Sequence, residues 1–65
     1  MPMIQIHLIE GRAEAQKAQL AREVTEVVQR VLGVSAERVH VLVNEYGHQN
    51  WSVGGAPLPS AGAAL

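Results

Sequence analysis

Met3 to Ile9 alternates. Ile4, Ile6 and Leu8 fall on one side, and Met3, Gln5, His7 and Ile9 on the other. This is the period-two pattern of a β-strand. Glu10-Gly11-Arg12 ends it, with Gly11 supplying the turn. From Ala13 to Leu32 the period changes. Lys17, Leu20, Val24, Val27, Val28, Val31 and Leu32, with Ala21 filling in, follow the i, i+3, i+4, i+7 spacing of an amphipathic helix. Glu14, Lys17, Arg22, Glu26 and Arg30 take the wet side, where Glu26 and Arg30 are spaced as i,i+4 partners. Gly33 stands where a left-handed C-cap belongs, and Ser35 is placed to cap a short turn through Arg38. Val39 to Glu45 alternates again, with Val39, Val41 and Val43 opposite His40, Leu42 and Asn44. The order strand, helix, strand predicts a right-handed βαβ unit with a parallel pair. Gly54-Gly55, beyond Trp51 and Val53, suits a tight hairpin turn. The expected fold class is therefore α/β: one βαβ unit with a short C-terminal hairpin. Residues 1–65 read as one domain, with about 60–65 a flexible tail or a segment docking on a neighbour.

This pattern has a consequence for assembly. A parallel pair normally has both faces covered, and one amphipathic helix covers only one. Met3, Ile9 and Leu42, with Gln5, His7 and His40 among them, are left on the other face. The chain has 65 residues and no cysteine. A domain of this size buries only about 60% of its unfolded surface, and a disulfide framework is excluded. Another copy, or a related partner chain, is the expected cover.

Charge narrows the partners. Five basic residues meet six acidic ones, for a net charge of −1, with no basic block to suggest nucleic acid. The apolar runs fall far short of the ~20 residues needed to span a bilayer, and the N-terminus does not read as a signal peptide. Together with the missing cysteines, this predicts a cytoplasmic protein. His7, His40 and His48 match no metal-ligand spacing and read as ordinary packing or surface residues.

Pro2 is the residue the pattern does not explain. It has no N–H to give a ladder, and on its own it is an ordinary start to an edge strand. In combination it means more. Pro2, "IQIHLIEGR" at 4–12, "EAQK" at 14–17 and "NWSVGG" at 50–55 resemble the 4-oxalocrotonate tautomerase family, or 2-hydroxymuconate tautomerases, over nearly the whole chain. The resemblance implies a βαβ unit that pairs into a dimer and assembles into a hexamer. A homo-hexamer built as a trimer of dimers is expected, with a hetero-hexamer as the variant. It also implies cofactor-independent isomerase chemistry of the kind found in aromatic degradation, on a small unsaturated keto or enol carboxylic acid.

In that chemistry, removal of Met1 leaves Pro2 as a secondary amine. An α-amino group ordinarily titrates near about 7.7–8.0, and burial or nearby cations push it down. Such a group accepts a proton and returns it elsewhere as a general base; a retained Met1 would make the nitrogen an amide. By resemblance, Arg12 holds a substrate carboxylate through its planar fork. Trp51, where the family often has phenylalanine, walls the pocket. Family members carry a second arginine where His40 stands here. Arg38, two positions earlier, shares the face of His40 by strand alternation but at the strand's entry, a different depth; His40 or Arg38 is expected to take over part of that arginine's task.

Two other readings keep the fold. Relatives use the same proline in hydration or dehalogenation, with a carboxylate activating water, for which Glu10 or Glu45 are candidates. Alternatively, the change at His40 fits a non-catalytic structural subunit of a mixed oligomer. A small binding protein for acidic metabolites is a further possibility.

Overall fold

The computed structural model describes residues 2–59. Strand β1 spans Met3–Ile9, helix α1 Glu14–Leu32 and strand β2 His40–Tyr46. Two short strands, β3 (Ser52–Val53) and β4 (Ala56–Pro57), follow, and single 3₁₀ turns at Ala36–Arg38 and His48–Asn50 join the elements. β1 and β2 pair in parallel, with Met3 opposite His40 and Ile9 opposite Tyr46.

β1 has the bounds its alternation predicts. Helix α1 begins one residue later than Ala13, which becomes its N-cap, and the Gln16 side chain accepts the Ala13 N–H at 3.2 Å. At the other end Gly33 sits in the left-handed region at φ 67° and donates to the Gln29 carbonyl at 2.9 Å. A side chain with a Cβ adopts that conformation only at a cost, which is why glycine closes the helix. β2 starts one residue later than expected because the 3₁₀ turn holds Val39, whose N–H bonds the Ala36 carbonyl at 3.0 Å. Ser35 leads into that turn without a side-chain cap.

Helix α1 lies on the sheet face of Ile4, Ile6, Leu8, Val41 and Val43, all half-buried. The contact is fixed by Lys17, whose ammonium reaches Glu14 at 2.7 Å and Glu45, the register partner of Leu8, at 2.8 Å. Lys17 thus closes the apolar stripe rather than joining it. Glu26 and Arg30 form no ion pair; a side-chain link about two turns earlier runs from Gln19 Nε2 to Glu23 Oε2 at 2.7 Å.

The other face is nearly bare. Met3 is 55% exposed and Leu42 41%, and Gln5, His7 and His40 are exposed beside them. Ile9 is the exception. It was expected on the uncovered face, yet it is 3% exposed, the one buried hydrophobic residue among those described. The C-terminal segment folds over its end of the sheet. Apolar side chains on the helix, Val27, Val31 and Leu32, are also exposed. One buried residue among those described is too little core for a chain to stand alone. The expected flexible tail at 60–65 lies outside the described residues.

Candidate active site

The parallel pairing separates the predicted site residues. Pro2 leads into β1, and its carbonyl accepts the His40 N–H at 3.0 Å. Arg38 and His40, both exposed, lie at this end. Arg38 belongs to the 3₁₀ turn, so the strand alternation that would align it with His40 does not extend to it. Arg12 follows the far end of β1, where its Nη1 donates to the Ile9 carbonyl at 3.0 Å. The seven residues of β1 lie between them, a span of about 20 Å at ~3.3 Å per residue. One chain therefore groups Pro2 with His40 and Arg38, and Arg12 with Trp51, but does not bring the two groups together.

Backbone bonds hold Trp51 in place. Its N–H donates to the His48 carbonyl at 3.3 Å, and its own carbonyl accepts the Leu58 N–H at 3.0 Å. His48 Nδ1 lies 3.0 Å from the Leu58 carbonyl. A carbonyl only accepts, so Nδ1 carries the hydrogen. The hairpin of β3 and β4 thus ties back to the turn that carries Trp51. That hairpin closes through Gly54 and Gly55 at φ 63° and 86°, the positive pair that the favoured two-residue turn requires.

Trp51 meets Tyr46 edge-on, with ring centroids 5.7 Å apart at 78°. Tyr46 in turn stacks on His7, with centroids 5.7 Å apart at 29°, and its hydroxyl lies 2.8 Å from His7 Nδ1. Two cavities share this row. One of about 210 Å³ is lined by His7, Leu8, Ile9, Arg12 and Trp51. The other, about 480 Å³, is lined by His7, Tyr46, Asn50, Trp51 and Ser52. Sequence reasoning singled out Arg12 and Trp51 here and missed Tyr46. Its partner His7 is 39 positions away, and no local spacing announces such a pair.

The acidic candidates are placed differently. The Glu45 carboxylate is held by Lys17 on the helix side of the sheet, away from the aromatic row. Glu10 is exposed at the end of β1, its N–H bonded to the Tyr46 carbonyl at 2.8 Å. Hydrogen bonds from Lys17, first to Glu14 and then to Glu45, raise the lysine above its ordinary value of 10.5.

The sequence matches the model of the tautomerase enzyme family over residues 2–60. It is 56% identical over 45 residues to a probable tautomerase of Streptococcus thermophilus, covering 69% of this chain and 74% of that one. Among solved structures, the fold superposes with a TM-score of 0.84 on a 4-oxalocrotonate tautomerase isozyme from Methylibium petroleiphilum, 41% identical, covering 86% of this chain and 88% of that one. A subunit of a heterohexameric 4-oxalocrotonate tautomerase from Chloroflexus aurantiacus gives 0.83 at 32% identity, over 88% and 92% of the two chains. The chain belongs to the tautomerase family, isomerase-type enzymes with the 4-oxalocrotonate tautomerase fold.

Proposed function

We propose that the chain is a cofactor-independent tautomerase that converts the enol of an α-keto acid, such as a 2-hydroxydienoate, into its keto isomer. Pro2, freed by removal of Met1, takes the proton from the 2-hydroxyl. The electron pair moves through the enol system, the carbonyl forms, and the same nitrogen returns a proton to carbon. The ring holds the nitrogen rigidly, so its lone pair is aimed. Arg12 grips the substrate carboxylate with two parallel hydrogen bonds. Trp51 excludes water and disfavours the protonated amine. His40, with Arg38 beside it, takes over part of the polarising task of the missing second arginine.

One observation carries this reading: Pro2 and Arg12 stand at opposite ends of a parallel strand pair. A second copy running antiparallel to the first sets its Pro2 beside the Arg12 and Trp51 of its neighbour, and a two-fold axis repeats the arrangement. The exposed Met3 and Leu42 supply an apolar surface for further copies. The proposed assembly is a homo-hexamer, a trimer of such dimers, in the cytoplasm. The exchange of one chain type for a related one would give a hetero-hexamer. The placement of Glu45 against Lys17 disfavours it as an activator of water and leaves the exposed Glu10 as the carboxylate of the hydratase alternative.

The test is Pro2→Ala. Turnover of an enol substrate should fall by about 10² or more, the usual worth of a positioned base, while the assembly keeps its mass. Active wild-type protein should have the mass of the chain lacking Met1, and its rate should rise with pH through the amine's pKa. Unchanged turnover in the variant, or full-length mass in active protein, contradicts the proposal.

A further inference from the structure

The pairing of β1 with β2 gives Pro2 a titratable neighbour. His40 donates its N–H to the Pro2 carbonyl at 3.0 Å and stands opposite Met3 in the register. Strand alternation puts its side chain on the face of Met3, Gln5 and Leu42, away from helix α1. Arg38 is diverted from this face, because the Val39 N–H turns back to the Ala36 carbonyl at 3.0 Å and keeps Arg38 in the 3₁₀ turn. The charged groups around His40 are few. β1 contributes the Pro2 amine, and the turn leading into β2 carries Glu37 and Arg38. Met3, Gln5 and Leu42 carry no charge, and α1 packs on the opposite face. Across the shared site stands Arg12 of the partner subunit, and a guanidinium keeps its proton throughout.

An α-amino group and an imidazole are the two groups here that ordinarily change charge near neutral pH. They bear on the reaction in opposite ways. The amine must be free to take the proton from the 2-hydroxyl. The imidazole serves best as a cation, because a charged N–H holds an oxygen that gathers negative charge more strongly than a neutral donor does. A cation beside the amine also disfavours the amine's protonated form. A charged His40 therefore keeps Pro2 free at lower pH and favours return of the proton to carbon once Pro2 has taken it.

We propose that His40 gates the site by its charge: turnover is fast only while Pro2 is a free amine and the imidazole beside it is a cation. An arginine in this place would stay charged at every working pH, whereas histidine confines activity to a window. The edges of that window belong to the coupled pair rather than to either group alone. The inference rests on the tautomerase reading above and adds a regulation by pH to that same site.

The experiment is a profile of kcat/KM against pH on the full chain, with 2-hydroxymuconate and phenylenolpyruvate as enol substrates. The wild-type rate should rise and then fall, losing about tenfold between its optimum and about pH 9. His40→Arg should keep the acid edge and stay level to about pH 9. His40→Gln, which keeps a neutral donor, should also stay level, about tenfold below the wild-type maximum. A merely structural role would lower the rate at every pH and move neither edge. A level wild-type profile, or an alkaline edge retained in His40→Arg, overturns the inference and leaves the tautomerase reading standing. If neither enol is turned over, binding of oxalate, an unreactive planar dianion, decides. Trp51 is the sole tryptophan, and its fluorescence reads the titration. Between about pH 5.5 and 7.5, affinity should weaken about tenfold more in the wild type than in His40→Gln. That result upholds the charged His40 while the tautomerase reading falls; an equal pH dependence, or no binding, overturns the inference as well. The wild-type profile stands whether or not the variants assemble.

Discussion

Leu42→Glu is the most informative single substitution for assembly. Leu42 sits in the middle of β2 on the face away from the helix and is 41% exposed in one chain. Burying a leucine completely is worth about 1.5–3 kcal/mol. Covering the exposed fraction is then worth roughly 1 kcal/mol per copy, or roughly 2 kcal/mol where a two-fold interface uses the site twice. A glutamate there loses this contribution and adds the larger penalty of a carboxylate taken out of water without a dedicated partner. Association should weaken by about 10³-fold or more. Since Ile9 is the one buried hydrophobic residue described, the released chain should also lose its helix. Sedimentation and far-UV circular dichroism at low micromolar concentration read both effects. Leu42→Ala should behave as a mild version, shifting the dissociation midpoint and leaving the helix intact when assembled. A Leu42→Glu chain with wild-type mass and helicity would refute the claim that this face is covered by another chain.

Two further substitutions test the local structure. Lys17→Met removes two ion pairs, the one to Glu45 that pins α1 to the end of β2 and the one to Glu14 within the helix. The folded state raises the Lys17 pKa, so its contribution to stability is complete below the ordinary value of 10.5 and disappears as pH climbs through the raised one. Urea midpoints of wild type and variant should differ at pH 8 and converge above that range; a gap that persists contradicts the assignment. Gly54→Ala places a Cβ at φ 63°, with nothing within 4 Å to obstruct it. The cost is therefore conformational, about 1 kcal/mol, and should appear as a lower denaturation midpoint with an unchanged slope.

Much of this architecture is legible residue by residue. The alternation of Met3–Ile9 fixes β1 because one-sided burial leaves a strand no other register. The glycine pair at 54–55 announces its turn because few residues adopt two positive φ values in succession. The shift of β2 by one residue was not legible, since Val39 fits the strand pattern and a backbone bond to Ala36 removes it. Burial of Ile9 was hidden for a different reason: its cover comes from a segment some 40 positions later, around Trp51. The separation of Pro2 from Arg12 was open to inference. One precedes and the other follows a strand of seven residues, so a single chain was bound to hold them apart. The Tyr46–His7 pair had no such signal, because its register emerges only when the two strands are aligned.

The central claim is that each site joins Pro2 of one chain to Arg12 and Trp51 of another. The direct measurement mixes two inactive variants, Pro2→Ala and Arg12→Ala, unfolds them together in equal amounts and reassembles them. A site shared between copies pairs an intact Pro2 with an intact Arg12 by chance, so the mixture should recover about a quarter of wild-type activity. Recovery no greater than that of the separate variants would contradict the account and return both residues to the same chain.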